Sequence, residues 1–551
     1  MKNNYLECVR EYIVQNKLDG FIFFKRDPFG GEFCFEKTDA IRNVSNFSGS
    51  YAVLLVTRHD VHIFTDPRYA IRVKNEVSEE VDISLWNYKS EISKLQNVVQ
   101  VGFDPMFAIE SDITGFADHI RFNAVPNFIN SIFSYADFSY ISMFKDEYGD
   151  DIDKKLKKVT EYMRKSNLDA YLFGSESLSW VFNERSNAIK NYPISVGFVI
   201  LFNDGSFRKF YPDNILNGQF EKCIKKIEGL KMGLDAKFIP YQIVELISKN
   251  NSVHKIKDII MSLKIIKTDT EILNMKTAHI RESLMWLRLI DWIKICNHKL
   301  GELDVSHKIL ELKKCRKNFF DESFDSIVAN SVNAASIHYS PENKNDKIDF
   351  MVLIDTGTQY LDGTTDVTRC ITLSDVKIPE YAKYYYTMVL KSHISFASLV
   401  YPRGTTGSEL NAMARSALWN KHLDFKHGFG HGIGCFLNVH EPYISIGTKS
   451  STVLYPGMIM ANEPGVYIEN KIGIRIENAV LVEEDNDSNF FKFTTIDYIP
   501  FDDRLIDVDL LTDGEIKWIN DYYELSKIIL SRYADKNEIK LIEKYFIKIS
   551  R

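Results

Sequence analysis

The run Asp349-Phe-Met-Val-Leu-Ile-Asp-Thr-Gly-Thr-Gln-Tyr-Leu-Asp-Gly-Thr-Thr-Asp366 reads as a buried strand that ends on a carboxylate and turns back toward a second one. Five apolar residues from Phe350 to Ile354 are too few for a helix of ordinary length and suit a strand covered on both faces. Asp362-Gly363 supplies a turn signal, so Asp355 and Asp366 belong to one hairpin. Their spacing is odd, as direct cross-strand partners require. The midpoint, between Tyr360 and Leu361, falls short of the turn pair, which predicts a bulge or a longer loop. Two aspartates facing each other at the end of an apolar strand repel unless a cation lies between them. A pair of exposed turn carboxylates would give the same spacing.

Downstream, Ile472-Gly-Ile-Arg-Ile-Glu477 alternates strictly, which puts Gly473, Arg475 and Glu477 on one face. A surface salt bridge is the plainer reading of Arg475 and Glu477 taken alone. Met458-Ile-Met-Ala-Asn-Glu463 ends another apolar strand on a carboxylate, at the point where Pro464 stops it. Between the two hairpins lies Lys426-His-Gly-Phe-Gly-His-Gly-Ile-Gly-Cys435, followed by His440-Glu441. His427 and His431 have the spacing of two ligands on a zincin helix, but alternate glycines make a helix costly, at about 1 kcal/mol each relative to alanine. The glycines suggest instead a backbone passing close to a ligand. With His338, the set to be weighed together is four histidines and four carboxylates.

Outward from this core the chain repeats itself. Val9-Arg-Glu-Tyr-Ile-Val-Gln-Asn-Lys-Leu-Asp-Gly-Phe-Ile-Phe23 aligns with Val159-Thr-Glu-Tyr-Met-Arg-Lys-Ser-Asn-Leu-Asp-Ala-Tyr-Leu-Phe173, each reading as a helix followed by a buried strand. Ser48–Val56 and Ser195–Asn203 continue the match. Two copies of one α/β domain are therefore expected at 1–150 and 151–262. From Thr268-Asp a capped helical stretch opens a third domain, 263–551, in which strand-like blocks at 349–373 and 430–482 flank a helical stretch around 380–422.

The 551 residues allow three or four domains at about 150 residues each. Hydrophobic residues at 45% and charged residues at 26% are those of an ordinary globular protein. A net charge of -7 disfavours nucleic acid as the main ligand. No stretch approaches the ~20 apolar residues of a membrane span, and the N-terminus lacks the apolar core of a signal peptide. Seven scattered cysteines without a CxxC pair fit a reducing cytoplasm better than a disulfide framework.

Taken together, Leu353–Arg369, the His-Gly-x-Gly-His-Gly-x-Gly run at 427–434, Phe436-Leu-Asn-Val-His-Glu441, Asn462-Glu-Pro-Gly465, Gly473-Ile-Arg-Ile-Glu-Asn478 and the tail Pro500-Phe-Asp-Asp-Arg504 resemble aminopeptidase P, the Xaa-Pro aminopeptidases of the pita-bread metallopeptidases, in their long three-domain form. Trp180-Val-Phe-Asn-Glu-Arg185 extends the likeness into the repeat. The resemblance implies an α/β (α+β) chain with two creatinase-like N-terminal domains and a pita-bread catalytic domain. It implies two divalent ions, manganese in the family, with Asp355 on one, His431 and Glu463 on the other, and Asp366 and Glu477 as bridges. His338 and His440 would face the substrate, His427 would be a further active-site histidine, and Arg475 would support the ligand network. Glu463 is the candidate base. The implied substrates are peptides with proline at position two, and the implied state is a cytoplasmic homodimer without nucleic-acid or membrane partners. A prolidase shares the ligands, and a non-catalytic pita-bread binding module would have lost them. Two departures touch the proline pocket: no glycine separates Glu441 from Pro442, and Phe429 stands where threonine is common.

Overall fold

A computed structural model describes residues 5–29, 34–35, 38–85, 87–133, 142–144, 151–296, 300–341, 347–487 and 489–551. The chain forms two compact units that divide between Ser262 and Leu263. The expected boundary at 150/151 falls beside residues 145–150, which lie outside the described ones.

The first unit holds two sheets of like topology. One runs Val81–Leu85, Val61–Thr65, Ala52–Thr57, Gly20–Phe24, Gln100–Phe103, Arg121–Ala124, and the other Phe207–Phe210, Phe198–Phe202, Ala170–Phe173, Lys231–Leu234, Ser252–Lys255. In both, the first strand of the repeat pairs antiparallel with one later strand and parallel with another. The repeated residues explain the likeness. The helices Tyr5–Gln15 and Ile152–Lys165 end on a left-handed residue, Lys17 (φ 54) and Asn167 (φ 54), which turns the buried leucine that follows back under the helix. Asp19 then accepts from the backbone N–H groups of Val99 and Gln100, and Asp169 from that of Lys231, so one aspartate in each copy pins the parallel strand.

In the second unit, the long helix Asp269–Cys296 starts on a reciprocal cap, Thr268 accepting from the Glu271 N–H and Glu271 from that of Thr268. Strand Met351–Thr356 is central between Ile327–Asn330 and Val367–Thr372. A six-stranded sheet has the order Val400–Pro402, Phe490–Thr495, Asn478–Glu484, Ile459–Asn462, Gly430–Gly432, Glu441–Ile446. Gly465–Ile468 and Ile472–Arg475 form a separate hairpin. Helices Glu380–Ala397, Gly407–Trp419 and Asp513–Leu530 contribute Tyr386, Leu410 and Ile519 to the buried core beside these strands.

The Asp355 hairpin differs from its expected register. Asp355 pairs with Thr368, Gln359 with Thr364 and Tyr360 with Gly363, leaving Leu361-Asp362 as a two-residue connection without a bulge. Asp355 and Asp366 are therefore diagonal rather than direct partners, still on one face. Gly363 belongs to the strand because a side chain there would meet the Ala278 Cβ of the long helix at 2.8 Å.

Candidate metal centre

Four strand ends, at Asp355, Asp366, Glu463 and Glu477, and one glycine-rich strand deliver the polar side chains to one place. Asp366, His431 and Glu477 each offer a ligand atom, all within 4.8 Å of one another, the group among the described residues best placed to hold a metal ion. Asp366 Oδ2 lies 3.4 Å and Glu463 Oε1 3.7 Å from His431 Nε2. The other nitrogen of His431 lies 2.9 Å from the Gly432 carbonyl, which fixes the ring with Nε2 toward the carboxylates.

Asp355 joins through its neighbours. Arg475 Nη2 donates to Asp355 Oδ2 at 2.6 Å, and Arg475 Nε donates at 3.1 Å to the hydroxyl of Thr368, which in turn donates to Glu477 Oε2 at 2.9 Å. Arg475 and Glu477 thus share a face as their alternation predicts, but both are buried and hydrogen-bonded to the Asp355 hairpin rather than forming a surface pair. The remaining oxygens, Asp355 Oδ1 and Glu477 Oε1, are buried without a protein partner.

The electrostatics are those of an uncompensated anionic pocket. Burial, reinforced by Asp366, Asp355 and Glu463, holds Glu477 well above the usual carboxylate range. Burial also raises Asp355 and Glu463, against the pull of Arg475 on the first and of His431 and Arg475 on the second. For His431, burial disfavours the cation, yet Asp366 and Glu463 outweigh it and push the imidazole up to about 9. Four carboxylates around His431 and the Arg475 guanidinium, with His427 Nδ1 3.8 Å from Glu463 Oε2 and two of the four carrying orphaned buried oxygens, fit a divalent cation with hard, oxygen-rich ligation.

The other predicted histidines take different places. The His440 ring packs edge-on against His431, with centroids 4.4 Å apart. His427 Nε2 lies 2.9 Å from the Tyr467 hydroxyl, which already accepts from Arg475 at 2.8 Å, so the phenol proton points to His427. His427 Nδ1, 2.8 Å from the Gly428 carbonyl, then carries the ring's own proton. His338 enters on a separate segment, half-buried just past the short helix Asn333–Ala335, which abuts strand Ile472–Arg475 at Gly473.

Gly430 and Gly432 serve packing. A side chain at Gly430 would stand 2.0 Å from the Ala461 carbonyl, and one at Gly432 would stand 2.8 Å from Ile444. They let the strand carrying His431 slot between its neighbours, a different reason from close approach to a ligand. The strand that begins at Glu441 is locally distorted. His431 pairs with Ser445 and Gly432 with Glu441, so Pro442-Tyr-Ile444 bulges out, and the left-handed conformation falls on Tyr443 (φ 71). Phe429 stacks on Phe396 in the core, with ring centroids 5.1 Å apart.

Sequence reasoning missed three partners. Tyr467 was signalled by alternation: it shares a face with Gly465, the cross-strand partner of Arg475, and the empty position at Gly465 is where the Tyr467 ring folds back. Thr368 gave no signal beyond its place two residues after Asp366. Glu441 is buried and paired with Lys264 at 2.9 Å and with Lys267, both also buried. Nothing near Lys264 marks that pairing in advance.

Comparison with known proteins agrees with this geometry. The model of metallopeptidase family M24 matches residues 274–484, and that of the C-terminal region of peptidase M24 matches residues 489–546. Xaa-Pro aminopeptidase 1 of Dictyostelium discoideum is 29% identical over 98% of this chain and 94% of its own. The crystal structure of an X-prolyl aminopeptidase from Caenorhabditis elegans, described as a cytosolic enzyme with a di-nuclear active site, superposes over 100% of both chains with a TM-score of 0.90 at 24% identity. A prolidase from Thermococcus sibiricus covers 64% of this chain and 98% of its own, with a TM-score of 0.54 at 23% identity. Residues 274–484, which span every strand that carries a carboxylate of the site, are thus similar to metallopeptidase family M24, and residues 489–546 to the C-terminal region of that family.

Proposed function

We propose that the chain is a Xaa-Pro aminopeptidase, a hydrolase that removes the N-terminal residue from peptides with proline at the second position, using two divalent ions. The observation that carries this reading is the pair of buried, partnerless oxygens on Asp355 and Glu477 beside Asp366, Glu463 and His431. Asp355 would hold one ion, His431 and Glu463 the other, and Asp366 and Glu477 would bridge. The oxygen-rich donor set suits a hard divalent ion, and manganese is the one that the family resemblance implies. When bound, such an ion pair supplies a water of lowered pKa and polarises the scissile carbonyl.

The chain's own residues do the rest. The Glu463 side chain is 19% exposed, against 12% for Asp355 and 6% for Asp366, which makes it the carboxylate best placed to take a proton from the attacking water and pass it on. His440, packed on the ligand His431, and His338 are the donors to the developing oxyanion or to the prolyl nitrogen, which must leave as a secondary amine. His427 works through Tyr467, orienting the Arg475 guanidinium that holds Asp355. Residues 1–150 and 151–262 carry none of the proposed ligands.

Likeness along nearly the whole chain to the Dictyostelium aminopeptidase favours this reading over a prolidase, since the Thermococcus enzyme accounts for less than two-thirds of the chain. The intact carboxylate set speaks against a binding module. A cytoplasmic homodimer completes the proposal, the first part supported by the cytosolic C. elegans relative. Among the described residues no helix is long and apolar enough to cross a membrane. The test is cleavage of an Xaa-Pro dipeptide and an Xaa-Pro-Xaa tripeptide side by side, with and without manganese. Metal-dependent cleavage of the tripeptide is expected. Cleavage of the dipeptide alone would make it a prolidase.

A further inference from the structure

Arg369 lies on strand Val367–Thr372 with no exposed surface. A guanidinium in such a place ordinarily answers to a carboxylate, yet each of its five N–H groups ends on a neutral oxygen. Nη1 donates to the carbonyls of Thr368 at 2.9 Å and Glu477 at 2.5 Å. Nη2 donates to the carbonyl of Ile499 at 2.9 Å and to the side-chain oxygen of Asn478 at 3.1 Å, and Nε to the carbonyl of Pro500 at 3.3 Å. The Phe501 ring covers the cation, its centroid 4.9 Å from Cζ.

The recipients are informative. Thr368 and Glu477 are the two residues already joined side chain to side chain, and the Glu477 N–H donates to the Thr368 carbonyl at 3.1 Å. Their backbones belong to chain segments more than a hundred residues apart in sequence, joined also by the Cys370 thiol on the Arg475 carbonyl at 3.7 Å. Ile499 and Pro500 belong to a third segment, held by the hydroxyls of Tyr522 and Tyr523 through the N–H groups of Ile499 and Phe501. A planar fork with five donors in fixed directions can hold three segments at once, which a lysine's three donors at a single point cannot.

We infer that Arg369 is a positioning residue for the metal centre, locking the backbones of Thr368 and Glu477 to the carbonyls of Ile499 and Pro500 and so making residues 497–502 a working part of the site, although they supply no ligand. The inference rests on the metal-centre reading above. Groups that orient ligands without touching the ion typically change affinity or activity by about 10- to 100-fold when removed.

The test is calorimetric titration of the metal-free full chain with manganese, for the wild type and for Arg369→Lys, with unfolding of both metal-free proteins measured in urea. A folded Arg369→Lys protein is expected to bind manganese about 10- to 100-fold more weakly. Wild-type affinity in that protein would overturn the inference while leaving the metal centre intact. If Arg369→Lys does not fold, hydrogen exchange of the wild type decides, because coupling between two sites is reciprocal. Manganese should slow exchange at the Ile499 and Phe501 amides, and unchanged exchange there overturns the inference. A wild type that takes up no manganese would instead refute the metal-centre reading on which the inference stands.

Discussion

Thr368 stands directly across the strand pair from Asp355, and its single hydroxyl accepts from Arg475 while donating to Glu477. The side chain therefore relates three members of the site without being able to bind a metal strongly itself. Thr368→Val keeps the shape and removes the hydroxyl. It should lower manganese affinity by about 10- to 100-fold and leave Glu477 Oε2 without its donor. Isothermal titration of the metal-free protein measures this, and unchanged affinity would show that Arg475 and Glu477 hold their positions unaided.

His431 and His440 touch each other, yet their losses should look different. His431→Ala removes the only imidazole among the proposed ligands, so metal content by elemental analysis should drop below two per chain and activity with it. His440→Ala should retain both ions and lower turnover by roughly 10²- to 10⁴-fold, the scale of a lost proton-transfer group. An emptied metal site in His440→Ala would move that residue into the ligand set.

Glu441 is the carboxylate that pairs with two buried ammonium groups, and removing it breaks both pairs. Glu441→Ala should cost about 3–5 kcal/mol of unfolding free energy in urea. Glu441→Gln, which keeps an acceptor, should cost less. Equal loss in the two variants would mean that shape rather than charge matters there.

In the first unit, Asp19 accepts two backbone N–H groups and Asp169 one. Asp19→Ala should destabilise by about 1–2 kcal/mol and Asp169→Ala by less, with metal affinity unchanged in both. Hydrogen exchange at Gln100 and Lys231 gives a local readout, and loss of protection should appear at the matching strand only.

Asp355, Glu463 and Glu477 stand out in the sequence because each ends an apolar run, a pattern that needs no knowledge of the partner strand, whereas Asp366 and the histidines are assigned through the family resemblance. The repeat was legible for the same reason: Leu18 with Asp19 and Leu168 with Asp169 make local structure that recurs. What escaped depends on register between distant segments. Asp362-Gly363 looked like a turn, but Gly363 answers to Ala278 on a helix far earlier in the chain, and the turn moved by one residue. The glycines around His431 suggested a ligand, and they answer instead to Ala461 and Ile444. Thr368 and Arg369 acquire their roles only when the 368, 475 and 499 segments meet, and no window of sequence contains that meeting.

Gly473 presses against the Ala334 carbonyl so closely that a methyl group added there would sit 1.8 Å from it, and Gly430 is similarly confined. Backbone against backbone has no rotamer into which to escape, so neither position has a gentle substitution. A survey of inactivating changes across this chain would rank these two glycines beside His431 and Arg475, although neither has any group to offer a peptide or an ion. Indispensability and chemistry are separate properties here, and a map of lost activity would outline the frame of the site as sharply as its working parts.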